Sequence, residues 1–310
     1  MTVRVPAKVN LQLAVGPLRA DGYHELVTVF HAVSLFDEVT VRSADRTSVR
    51  VSGAEAAAVP AGGANLAVRA AAALARAARP RGASSAVAIE IRKRIPVAGG
   101  LAGGSADAAA ALVACNELWQ AGLSAAELGA VAAGVGSDVA FALLGGTAVG
   151  RGRGEQLTVA LAAGIYHWVL AFSSGGLSTP DVYAACDRLR AARAAGLAAG
   201  APAPRLSTEL MVALRSADPA AVGPLLSNDL QPAALSLRPE LRRTLAAGRE
   251  LGAVGAMVSG SGPTCAFLAT DARHARDLAV SLTGAGVCRG VAGCRGPVHG
   301  ATVIPAAEHG

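Results

Sequence analysis

Residues 87–119, VAIEIRKRIPVAGGLAGGSADAAAALVACNELW, constrain the fold more than any other stretch of this 310-residue chain. Val87, Ile89 and Ile91 alternate with Ala88 and Glu90, the period-two pattern of a strand with one buried face. The basic triplet Arg92-Lys93-Arg94 follows, and Ile95-Pro96 closes the strand because proline has no N–H for a ladder. Gly99-Gly100-Leu101-Ala102-Gly103-Gly104 then leads into Ser105 and an alanine-rich run of high helix propensity. Strand, glycine loop and helix N-terminus in that order build an anion site. The glycines leave the backbone bare, and the first helical turn offers unpaired N–H groups at the positive end of its dipole. A surface loop or a close backbone contact is the other reading, since 37 residues are glycine. The chain has no Gly-Lys dipeptide, so the loop is not of the Walker type, and GGLAGG does not match G-x-G-x-x-G.

Of 28 basic residues only Lys8 and Lys93 are lysine. In so arginine-biased a chain, a lysine marks places where a compact ammonium is needed, and Lys93 abuts the glycine loop. Net charge is +6, which admits anionic partners. The arginines are dispersed and aromatics are 3 % of residues, which argues against nucleic acid. No run of 18 apolar residues occurs, and MTVRVPAKVNLQL lacks the apolar core of a signal peptide, so no membrane partner and a cytoplasmic location are expected. The five cysteines are scattered without Cys-x-x-Cys and the six histidines have no metal spacing; buried thiols and no protein-built metal site are expected.

Residues 3–13 alternate as a strand that sets Lys8 and Asn10 on one face. After a turn at Ala20-Asp21-Gly22, strands are predicted over 27–36 and 37–42. Asn65 caps a predicted helix over 65–78. Ser124 with Glu127 forms a capping box for a helix over 125–133. Asp138 follows Gly136-Ser137, a pattern equally suited to a helix cap. Further helices are predicted at 207–215, 218–226, 238–251 and 272–283, with strands at 166–172 and 301–304. The Ala/Arg-rich stretch 184–205 is read as a helix fraying into a loop.

Pro96-x-x-Gly99-Gly100-Leu101-Ala102-Gly103-Gly104-Ser105-x-Asp107-Ala108 resembles the ATP loop of the GHMP kinases, with Ala102 a departure from the usual GLGGGSS. PAKVNLQLAVG followed by RADGYHELVTVF resembles the branch of that family that phosphorylates 4-diphosphocytidyl-2-C-methyl-D-erythritol. GVGSDVAF, the segment around Gly176-Leu177-Ser178-Thr179, NDLQ at 228–231 and MVSGSGPTCAF at 257–267 match its other motifs. The resemblance implies an α+β fold of two domains: residues 1–158 like ribosomal protein S5 domain 2, and residues 159–310 ferredoxin-like. It implies ATP with Mg²⁺, and transfer of the γ-phosphoryl to the acceptor's 2-hydroxyl in the non-mevalonate isoprenoid pathway. Lys8 and Asp138 would be catalytic. ATP would be held by Asn65, Lys93 and the loop Pro96, Val97, Ala98, Gly99, Gly100, Leu101, Ala102, Gly103, Gly104, Ser105 and Ala106, with Ser105 a candidate Mg²⁺ ligand. Asn10, Tyr23, His24, Thr179 and Tyr183 would hold the acceptor, the two tyrosines stacking on its cytosine. A homoserine-type kinase, or an RNA-binding protein sharing the first domain, remains the alternative.

Overall fold

The computed structural model describes residues 1–78, 85–194 and 203–305. Two long strands form its spine: β1 (Thr2–Leu18) and β2 (His24–Ser43) pair antiparallel along almost their whole length. The expected break at residue 36 is absent; bulges at Pro6/Ala7 and Asn10/Gln12 absorb the register change and keep both strands continuous. β3 (Ser48–Ser52) is followed by α1 (Leu66–Ala78) and β4 (Val87–Arg92), which lies between β2 and β3. Asn65 caps α1 as predicted, its Oδ1 accepting the Ala67 N–H at 2.9 Å. α2 (Gly103–Leu118) starts two residues earlier than expected. Its alanines 108–111 and Leu112 have no solvent exposure, because the helix is enclosed by β1 and β2 on one side and by helices on the other. Small side chains are what let backbones approach this closely.

α3 (Ala125–Val135) carries the predicted capping box and α4 (Ser137–Leu144) follows at once. β5 (Thr147–Gly152) pairs with the first half of β2, and β6 (Gln156–Val159) with β5. β7 (Tyr166–Phe172) opens a second, antiparallel sheet, and α5 (Thr179–Ala194) follows it; residues 195–202 of the Ala/Arg-rich stretch lie outside the described residues. α6 (Thr208–Ser216) and the short α7 (Pro219–Val222) come next, where a longer second helix was predicted. β8 (Ser227–Asn228) joins β1 in parallel. α8 (Gln231–Leu237), not foreseen, precedes α9 (Leu241–Glu250). β9 (Gly255–Val258), β10 (Cys265–Ala269), α10 (Ala272–Gly284) and β11 (Gly290–Gly296) complete the second sheet in the order β11-β7-β10-β9. β12 (Thr302–Ile304) returns to the free edge of β1. The chain beyond β7 thus returns two strands, β8 and β12, to the first sheet.

Between the sheets lies His31, fully buried, its Nδ1 2.8 Å from Thr147 Oγ1 and its ring against Tyr166 and Trp168. Burial drives the imidazole down to about 4; the backbone of Gly296, close by, opposes this only in part. The ring is therefore neutral when folded and takes up a proton more readily once unfolded, where its pKa is about 6.5. Stability should be intact above pH 6.5 and fall as pH drops toward 4, by up to about 3 kcal/mol at 1.4 kcal/mol per unit. Denaturant titrations between pH 7 and 4.5 on the native chain and on His31→Gln check this. The variant should lose less stability over the window, and parallel losses would exclude His31 as the cause.

Candidate active site

A cavity of about 950 Å³ opens between the first sheet and α5. The glycine loop forms one wall. Ala98, Gly100 and Ala102 take φ of 50°, 77° and 60°, so the loop weaves through the left-handed region. A Cβ on Gly100 would stand 2.1 Å from the Ser259 carbonyl oxygen and 2.8 Å from Gly262 N, so only glycine fits there. Ala102 accepts the strain of a left-handed residue, about 1–2 kcal/mol, and as the residue before α2 it provides no side-chain cap. The first-turn amides of α2 are left to the cavity, where Gly103, Gly104 and Ser105 lie on the wall. Thr264 N–H donates to Gly99 O at 3.3 Å and Ser259 Oγ to Gly100 O at 3.2 Å, so the second glycine turn, between β9 and β10, braces the first.

Lys8 reaches this wall from β1. Its backbone N–H donates to Leu101 O, and its Nζ to Asn10 Oδ1 at 2.5 Å and to Gly100 O at 3.0 Å. Asn10 is fixed in turn, its Nδ2 donating to Thr28 Oγ1 at 2.8 Å. Burial lowers the Lys8 pKa and the negative charge of Asp138 works against that. Asp138 sits in the first turn of α4, on the same cavity. Its carboxylate makes no hydrogen bond and no ion pair with the described residues.

Farther out, His24 is buried with Nε2 3.0 Å from Asp187 Oδ1, and its ring centroid lies 5.0 Å from that of Tyr183. Burial foremost, then Asp138, pushes the Tyr183 phenol up. Tyr23 is half exposed at the rim, with the Arg153 guanidinium 4.8 Å over its ring. Thr179 Oγ1 lies 3.0 Å from Ser261 Oγ on the second glycine turn.

The structure thus brings Lys8, Asn10, Tyr23, His24, Asp138, Thr179 and Tyr183 onto one cavity with most of the glycine loop. It does not bring all the expected residues there. Leu101 and Ala106 are buried beneath the loop, and Asn65 spends its side chain on the start of α1 and on Pro60 O. Pro96 and Val97 face a separate recess of about 400 Å³ that Ala98 and Gly99 share. Lys93, read from the sequence as an ATP ligand, is 6 % exposed and does not line the cavity: it lies beneath the wall residue Gly103, its Nζ 2.5 Å from Asp37 Oδ2 and 2.8 Å from Asp107 Oδ2. Among the wall residues not singled out from the sequence are Arg153 and Asp187. Arg153 lies in the stretch 145–155, whose sequence reads as a strand running into a turn and names no ligand. Asp187 lies four residues after Tyr183, a spacing that places both on one helix face.

Family models match the chain twice: GHMP kinases N terminal domain over residues 65–146, and GHMP kinases C terminal over residues 210–287. The chain is 58 % identical over 306 residues to a 4-diphosphocytidyl-2-C-methyl-D-erythritol kinase of Mycolicibacterium smegmatis, covering 99 % of this chain and 93 % of the relative. It is 55 % identical to the protein of that name from Thermobifida fusca, covering 98 % of each. Among solved structures, a crystal structure of 4-(cytidine 5'-diphospho)-2C-methyl-D-erythritol kinase superposes with a TM-score of 0.74 at 35 % identity, over 95 % of this chain and 98 % of that one. A homoserine kinase from Cytophaga hutchinsonii shares the fold, with a TM-score of 0.71 at 20 % identity over 98 % of this chain and 97 % of that one.

Proposed function

Because the chain belongs to the GHMP kinase family, among its 4-diphosphocytidyl-2-C-methyl-D-erythritol kinases, we propose the following division of labour for its site. The protein transfers the γ-phosphoryl of ATP to the 2-hydroxyl of 4-diphosphocytidyl-2-C-methyl-D-erythritol, giving ADP and the 2-phosphate in the non-mevalonate isoprenoid pathway. The observation that carries the assignment of roles is the meeting of Lys8, Asp138 and the open N-terminus of α2 on one cavity.

The uncapped amides at the start of α2, with Gly103, Gly104 and Ser105 on the cavity wall, suit the phosphates of ATP. Asp138, unpartnered, takes the hydrogen bond of the 2-hydroxyl and then its proton. Lys8 has three N–H donors, of which Asn10 and Gly100 O use two; the third serves an oxygen of the phosphoryl in transit. The α2 N-terminus and Lys8 thus oppose the charge that spreads over that group. Mg²⁺ keeps several waters and needs only one or two protein ligands besides the nucleotide. Ser105 at the mouth of α2 fits that need, and the ion, when bound, supplies further neutralisation of the phosphates. Tyr23, His24 and Tyr183 receive the cytosine. Among the described residues no helix is long and apolar enough to cross a membrane. The dispersed arginines and scarce aromatics of the sequence support a small-molecule partner rather than nucleic acid, and we place the enzyme in the cytoplasm.

Coupled assay of ADP release tests the assignment. Release should depend on the cytidine acceptor and not appear with homoserine or RNA. Tyr23→Ala should raise the acceptor KM by about tenfold or more, the loss of one base–ring stack, and leave the ATP KM alone. Turnover with homoserine in place of the cytidine acceptor would refute the substrate.

A further inference from the structure

His24 is buried, yet its ring is only half committed. Nε2 lies 3.0 Å from Asp187 Oδ1. A carboxylate only accepts, so Nε2 carries the hydrogen. Nδ1 has no hydrogen-bond partner among the described residues, and it is not one of the atoms sealed from solvent without a partner; it is open to the cavity that His24 lines. In the neutral ring, a hydrogen held on Nε2 leaves Nδ1 as an acceptor. α5 arranges both contacts one turn apart: Tyr183 packs against the face of the imidazole and Asp187 takes its edge.

Cytosine and uracil differ at the atom such an acceptor would meet. Cytosine presents an N4 amine, a donor. Uracil and thymine present O4, an acceptor. We propose that Asp187 is a positioning residue that sets the pyrimidine specificity of the site: by keeping the hydrogen on His24 Nε2, it offers Nδ1 to the N4 amine of cytosine and turns it against O4 of uracil. The inference rests on the reading that this end of the cavity receives the cytidine of the acceptor. It adds the residue that decides which pyrimidine is accepted and the atom through which the decision is made.

Asparagine at position 187 releases the arrangement, because it can donate to Nε2 as well as accept from it, whereas aspartate can only accept. Donation from the amide moves the ring hydrogen to Nδ1 and suits O4 of uracil. Glutamate keeps an acceptor. Binding of CDP and of UDP, measured by calorimetry on the native chain, Asp187→Asn and Asp187→Glu, is the test, together with the ¹⁵N shifts of His24. The native chain should prefer CDP by about tenfold or more, with shifts of the Nε2–H tautomer. Asp187→Asn should lose that preference or invert it, with the tautomer changed and the ATP KM kept. Asp187→Glu should keep CDP ahead of UDP. If Asp187→Asn retains the native CDP:UDP ratio, the inference is wrong and the functional reading stands. If the native chain binds neither nucleotide, the cytidine reading itself fails, and this inference with it.

Discussion

Asp138→Asn should lower kcat by about 10²–10⁴, the range a positioned general base contributes. The substitution keeps size and place in the first turn of α4. The native carboxylate has no partner among the described residues, so its removal leaves no buried group unsatisfied, and stability should stay within about 0.5 kcal/mol. The loss should fall on kcat rather than on the ATP KM, because the phosphates are assigned to the glycine loop and α2, on another wall. Removing the negative charge also removes what opposes the burial-driven depression of Lys8, so Lys8 should release its proton at lower pH in the variant. Single-turnover rates and melting curves on the same preparation decide the matter. A folded Asp138→Asn protein that keeps most of its kcat would take the base assignment away from this residue.

The second large effect is on stability. Lys93→Met should cost about 3–5 kcal/mol, the penalty for removing one partner from a buried ion pair. Asp37 Oδ2 and Asp107 Oδ2 both face the Lys93 ammonium, and Asp37 Oδ1 also accepts the N–H of Arg94 at 2.6 Å and of Ile95 at 2.9 Å. Burial works against the Lys93 charge, but the two carboxylates outweigh it and hold its pKa above the ordinary value. Burial likewise pushes the Asp107 carboxyl up, with Lys93 pulling the other way. Its Oδ1 is sealed in without a hydrogen-bond partner among the described residues. Methionine would leave two carboxylates crowded in an apolar shell, and the melting temperature should drop by roughly 10 °C at 2–4 °C per kcal/mol. Lys93→Met combined with Asp107→Leu should recover part of the loss, because neighbours are not additive. Unchanged melting with a raised ATP KM would return Lys93 to the nucleotide.

Lys93 also marks where sequence reasoning reaches its limit. Its position beside a glycine loop, in a chain with two lysines, pointed to phosphate. Its partners sit 56 and 14 residues away, and nothing local announces them. Asp187 is the reverse case. Its spacing from Tyr183 was visible, but its meaning depends on His24, 163 residues distant, arriving at the same helix face.

What the amino-acid order determined by itself is what short-range physics encodes. The alternation over 87–92 demands a strand. The glycines at 99 and 100 demand a loop that another backbone can approach, while those at 103 and 104 turned out to open α2 itself. Ser124 with Glu127, and Asn65, start helices because their side chains reach amides two or three residues on. Lys8 and Asp138 were legible through motif resemblance, and both stand on the cavity. Only the tertiary structure decided which backbone fills the gap at Gly100, that β8 and β12 cross back to β1, that the break expected after residue 36 is bridged into one strand, and that one lysine faces the cavity while the other is enclosed by two carboxylates. These outcomes rest on contacts between residues far apart in the chain. Local periodicity carries no record of them, because the burial and charge that settle each one exist only once both partners have been brought together.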